Sequence, residues 1–150
     1  MNVLILGSGG REHCLAELIS ESKHCDKLFV APGNSGTSLM AENLDFSPLD
    51  FDLVKEAITR HNIQLVVVGP EDPLVSGIHD FIISDPILKG VKVIGPKQRA
   101  SQLEGSKDFA KNFLNRHNIP TAKHKTFTNR QFEEACEYIE NNSPPYVLKA

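Results

Sequence analysis

Along the first hundred residues, apolar runs alternate with stretches whose apolar residues recur at helical spacing. The segment from Asn2 through Val3, Leu4, Ile5 and Leu6 runs without a charge into Gly7, which predicts a strand covered on both faces in a parallel sheet. From Glu12 to Glu21, Leu15, Leu18 and Ile19 mark one face of a helix. Lys27 to Ala31 predicts a second strand, closing a βαβ unit whose crossover should be right-handed. Pro32 to Gly36 predicts a loop. A short strand is expected around Leu44 to Phe46, then a helix carried by Val54, Ala57 and Ile58 to about His61. Gln64 to Val68 is the clearest buried strand, ended by Gly69-Pro70, and a further helix is expected within Pro73 to Ser84. Val91 to Ile94 predicts another strand, halted by Gly95-Pro96. Strands alternating with helices imply an open, doubly wound α/β sheet of Rossmann-like type.

Beyond Pro96 the rhythm changes, dividing the chain into a domain over 1–100 and a linker helix with the incomplete start of a second domain over 101–150. Ser101 and Glu104 have capping-box spacing, followed by an apolar face of Phe109, Phe113 and Leu114 to about His117. Thr128 and Gln131 suggest a second capping box, opening a helix striped by Phe132, Ala135, Cys136 and Ile139 to about Asn142. Tyr146 to Ala150 reads as a strand without a partner, so the second domain is expected to be cut short. Arg-His-Asn-Ile occurs at Arg60 to Ile63 and again at Arg116 to Ile119, each time where a helix should end. Cationic residues suit the negative end of a helix dipole and Asn tolerates the left-handed cap, so the recurrence is punctuation rather than duplication.

Bulk composition narrows the function classes. Hydrophobic residues at 40% and charged residues at 23% are ordinary for a globular chain of 150 residues. A net charge of −3 with scattered Lys and Arg argues against a nucleic-acid footprint or a membrane surface. No stretch approaches the roughly 20 apolar residues of a membrane span, and a cytoplasmic location is expected. Cys14, Cys25 and Cys136 are odd in number and lack metal-type spacing, so reduced structural thiols are expected.

Candidate chemistry gathers at the ends of strands. Gly7-Ser8-Gly9-Gly10-Arg11-Glu12 falls between the first strand and first helix, where amide N–H groups and the positive helix end receive anions. Glycines let a phosphate approach the backbone, and the Arg11 fork suits two phosphate oxygens. A tight turn with a solvated Arg is the bland alternative. The third glycine of a dinucleotide fingerprint would fall at Glu12, and Ala31-Pro32 stands where a ribose-gripping acid is expected, so a smaller phosphate ester fits better. In a doubly wound sheet, Gly7 to Arg11, Gly33 to Thr37 and Gly69 to Leu74 should face one crevice. Asn34 would bring an amide to it, and Glu71 a carboxylate for paired sugar hydroxyls or an amine.

Gly7 to His13, Ala31 to Thr37, Gly69-Pro70-Glu71 with Pro73-Leu74, Gly95-Pro96, Leu103 to Lys107 and Val147 to Ala150, in this order, closely resemble the glycinamide ribonucleotide synthetase family of purine biosynthesis. The resemblance covers essentially the whole chain. It implies an ATP-grasp fold preceded by a Rossmann-like domain, and ATP-dependent ligation of glycine to 5-phosphoribosylamine through a glycyl phosphate. Carried over by motif, Gly9, Gly10 and Arg11 would hold the 5-phosphate, with Glu12, Asn34 and Gly36 nearby and Glu71 at the ribose hydroxyls. Lys107 and Lys149 would contact ATP phosphates. The resemblance also implies magnesium, with manganese as a substitute, and a monomeric full-length enzyme. It places the catalytic residues and metal ligands beyond Ala150, so residues 1–150 alone are expected to be inactive. Another ATP-grasp ligase or carboxylase, or a non-catalytic nucleotide-binding module, are the alternatives.

Overall fold

The structure, a computed structural model, describes residues 1–148 and divides into two compact units, Met1–Ala110 and Lys111–Ala150. Five parallel strands form the first unit's sheet in the order β3-β2-β1-β4-β5. They are β1 (Asn2–Gly7), β2 (Lys27–Pro32), β3 (Glu42–Asn43), β4 (Ile63–Val68) and β5 (Lys92–Ile94). β1 lies at the centre, with Leu4 between Phe29 of β2 and Val66 of β4. The predicted α/β class and parallel sheet are therefore present.

Alternation along these strands makes two cores. Leu4, Leu6, Phe29, Ala31, Val66 and Val68 face one side, packed with Val54 and Ile58 of α2 (Phe51–Arg60) and with Ile78 and Ile82 further along. Val3, Ile5, Leu28, Val30 and Val67 face the other, against Ala16, Leu15 and Ile19 of α1 (Gly10–Ser20). Leu4, Ile5 and Leu6 are fully buried, which is why the run is apolar on both faces; each contributes about 1.5–3 kcal/mol of burial.

Several elements depart from the sequence expectation for identifiable reasons. The strand expected at Leu44 to Phe46 lies earlier, at Glu42–Asn43. Leu44 N–H still donates to the Val30 carbonyl, but Phe46 N–H turns back to the Leu44 carbonyl at 2.9 Å, a γ-turn that ends the pairing. The single helix expected within Pro73 to Ser84 is two, α3 (Glu71–Ser76) and α4 (Ile78–Ser84), divided at Gly77, whose φ of +101° no helix interior allows. Ser101 is not a cap: it is buried inside α5 (Gln98–Gly105), its hydroxyl donating to the Lys97 carbonyl at 3.0 Å. Ser106 caps instead, accepting from Phe109 N–H in the first turn of α6 (Lys107–Arg116).

In the second unit, Thr128 and Gln131 pair as a capping box would, Gln131 Oε1 accepting from Thr128 N–H at 3.0 Å, yet α7 (Phe132–Glu140) begins only afterwards. Lys125 lies over the Phe127 and Tyr138 rings at 5.0 and 5.3 Å. Tyr146 to Leu148 form no strand; the Tyr146 hydroxyl donates to the Ile139 carbonyl instead. The rest of that expected strand, Lys149 and Ala150, lies outside the described residues.

Both Arg-His-Asn-Ile segments end helices as expected. Among the described residues, Asn62 and Asn118 are the non-glycine residues of positive φ, at 49° and 55°. His61 and His117 each pack on a phenylalanine, Phe29 and Phe113, with ring centroids 4.4 Å apart.

Candidate functional site

β1 connects outward to β2 on one side, whereas the chain returns on its other side as β4, so the loops after β1 and β4 diverge at the sheet's switch point. A cleft of about 550 Å3 opens there. Its walls come from Gly7 to Gly9, from Pro32, from Asp45 to Leu49, and from Pro70, Asp72 and Pro73, with Glu12 at its base. The loops after β1, β2 and β4 are stitched to one another. Arg11 Nη1 donates to the Gly69 carbonyl at 2.7 Å, Asn34 Nδ2 to the Ser8 carbonyl at 2.9 Å, and Gly33 N–H to the Gly7 carbonyl at 3.1 Å.

The predicted site residues fall into different roles. Gly10 is the first residue of α1, and a Cβ built on it would meet nothing within 4 Å. Its N–H and that of Arg11 lie in the first turn, where no helical carbonyl reaches them. Arg11 is exposed and spends one of its five N–H donors on Gly69. Glu12 is the opposite: only 5% exposed, with Oε2 accepting from Gly9 N–H at 2.6 Å. That is the half of a capping box available when the cap is glycine.

Asn34 is committed to its own turn. Its Oδ1 accepts from Gly36 N–H at 2.8 Å and Thr37 N–H at 3.0 Å, and its carbonyl accepts from Asn43 Nδ2 at 2.8 Å. Gly36 lies so close to the His13 ring that any Cβ would overlap it. Gly9 and Glu12 line the cleft, whereas Gly10, Arg11, Asn34, Gly36 and Glu71 lie outside its lining. Glu71 opens α3, exposed. Lys107 is the exposed first residue of α6, and Lys149 lies outside the described residues.

Asp45 to Leu49 and Asn43 escaped the sequence reading, which placed Thr37 in the crevice loop without a role. Asp45 to Leu49 form a whole wall of the cleft, although any loop after a strand of such a sheet belongs on this edge. Thr37 and Asn43 hold the Asn34 turn: Thr37 is fully buried, its hydroxyl accepting from Asn34 N–H at 2.8 Å and lying 2.8 Å from Asn43 Oδ1. A lone Asn and a lone Thr leave no periodic signal. Among the described residues, no group of three or more His, Cys, Asp or Glu is arranged to hold a metal ion, and no helix is long and apolar enough to cross a membrane.

This arrangement has known relatives. The phosphoribosylamine–glycine ligase of Rhodopirellula baltica is 47% identical over 140 residues, covering 93% of this chain and 31% of the relative. That of Haemophilus influenzae is 45% identical over 152 residues, covering all of this chain and 34% of the relative. A crystal structure of the Thermotoga maritima phosphoribosylamine–glycine ligase superimposes with a TM-score of 0.65 at 28% identity, over 97% of this chain and 32% of that one. The chain thus spans about a third of the length of these relatives. Residues 1–104 match the phosphoribosylglycinamide synthetase N domain and residues 105–150 match the start of its ATP-grasp (A) domain. The switch-point loops and these matches agree, and the chain belongs to the phosphoribosylglycinamide synthetase family.

Proposed function

We propose that this chain supplies the phosphoribosylamine pocket of an enzyme that ligates glycine to 5-phosphoribosylamine at the expense of ATP. The relatives carry the name of that ligase, which supports the reading. The observation that carries it is the first turn of α1: two amides without helical partners, open space above Gly10, and a guanidinium with unused donors beside them. A dianionic phosphate satisfies all three, because charge-assisted hydrogen bonds from amides and Arg converge on it.

In this reading the amides of Gly10 and Arg11 seat the 5-phosphate, Gly9 borders the seat with its own N–H committed to Glu12, and the exposed Glu71 carboxylate receives the ribose hydroxyls. Glu12, Asn34 and Gly36 keep the loops in shape around them. The domain boundary is placed near residue 100, with the matches over 1–104 and 105–150 in support, although the first compact unit runs on to Ala110. Lys107 would face ATP phosphates: a cation at the N-terminal end of α6 opposes the helix dipole, so the helix itself gives no reason for it. ATP and magnesium use belongs to the family, but the described residues offer magnesium no ligand set. Glycyl phosphate formation and transfer would therefore depend on residues other than these.

Calorimetric titration with ribose 5-phosphate tests the pocket. Arg11→Ala should weaken binding by roughly tenfold or more, since a hydrogen bond to a charged group is worth about 1.5–3 kcal/mol. An unchanged titration removes Arg11 from the phosphate seat.

A further inference from the structure

A glycine loop between the first strand and first helix of a Rossmann-like sheet offers an anion seat at the helix N-terminus, and its second glycine lets a pyrophosphate reach the backbone. Here that second glycine is Gly9, and its N–H already donates to a carboxylate, Glu12 Oε2, at 2.6 Å. The Glu12 side chain folds back into the notch between the ends of β1 and β4. A Cβ on Gly7 would stand 2.6 Å from Glu12 Cγ and 2.7 Å from Cδ, one on Gly9 would stand 3.0 Å from Oε2, and one on Gly69 would overlap Oε1. Three glycines from the β1 and β4 ends thus form a cradle, and its occupant is this chain's own carboxylate, 5% exposed.

We propose that Glu12 is a resident anion that fills the pyrophosphate seat of the loop and sets its specificity against nucleoside diphosphate ligands. Its position is the one at which a dinucleotide fingerprint would carry a third glycine. A ligand pyrophosphate would have to displace a carboxylate that is only 5% exposed from the amide it needs, and would meet a like charge there. Gly10 and Arg11, one turn-position further on, keep their amides. The loop therefore accepts a single phosphate on its outer side and rejects a diphosphate bridging its inner side.

Titration of the full chain with ADP-ribose tests this, with ribose 5-phosphate titrated in parallel. Glu12→Ala empties the cradle and should bind ADP-ribose at least roughly tenfold more tightly than the unaltered chain. Glu12→Gln keeps the side-chain volume and removes the charge, and should gain roughly threefold or more toward inorganic pyrophosphate. Circular dichroism establishes that each variant is folded; if Glu12→Ala is not, the Glu12→Gln titration alone decides. Folded variants with no gain for either probe overturn the proposal. The outcome is separate from the sugar-phosphate reading, whose own failure would appear as absent ribose 5-phosphate binding by the unaltered chain.

Discussion

Replacing Gly10 by alanine should move stability and ligand binding in opposite directions. Positive φ occurs at Gly7, Gly33, Gly77, Gly90 and Gly95 among the glycines, whereas Gly10 is the helical first residue of α1. Since an added Cβ would meet nothing within 4 Å, the fold supplies no reason for glycine there. Alanine at a compatible site narrows the unfolded ensemble and should stabilise by about 0.5 kcal/mol, a rise in melting temperature of roughly 1–3 °C. The same methyl would stand over the first-turn amides and keep phosphate oxygens from approaching to ~2.9 Å. Loss of even one charge-assisted hydrogen bond, about 1.5–3 kcal/mol, should weaken ribose 5-phosphate binding tenfold or more. Thermal denaturation with and without ribose 5-phosphate, together with calorimetry, reads both effects on one sample. A variant that is more stable yet binds as before would show that no anion sits on this turn. One that is less stable would show that the surroundings of Gly10 do not admit a methyl group.

Two further changes probe the frame around the cleft. Asn43→Ala deletes the donor to the Asn34 carbonyl and the group facing the Thr37 hydroxyl, and should cost about 2 kcal/mol, read as a lower urea midpoint at unchanged slope. A shift below ~0.5 kcal/mol would mean that water replaces both contacts. Asp85 accepts from Lys55 Nζ at 2.6 Å and from Ile87 N–H at 2.8 Å, and chiefly the lysine, then the Ile87 amide, hold its carboxyl below the usual range. Because the folded value is depressed, the stabilisation is complete above the unfolded value of about 3.9 and is lost as pH falls through the folded value. Lys55→Met should therefore flatten the acid limb of stability below pH ~4, read by urea unfolding at successive pH values, and a variant whose limb is as steep as that of the unaltered chain would refute the pairing.

What the chain's pattern determined by itself was the alternation of strands and helices and the strand-end location of the candidate site. Uniformly apolar runs such as Val3 to Leu6 have one low-energy fate, burial on both faces of a parallel sheet, and glycines at strand ends leave the backbone open to anions. The left-handed turns at Asn62 and Asn118 were equally legible, because helix punctuation is a local matter. Tertiary structure decided which polar side chains remain free to meet a ligand. Glu12 and Arg11 are neighbours of similar polarity, yet one is buried against Gly7, Gly9 and Gly69 and the other reaches across to the Gly69 carbonyl. Gly69 follows β4, 57 positions after Glu12, and Asn43 of β3 reaches the Asn34 carbonyl just after β2. Contacts of that kind leave no periodicity in the chain, since they exist only once separate strands have been brought side by side and their ends share one crevice.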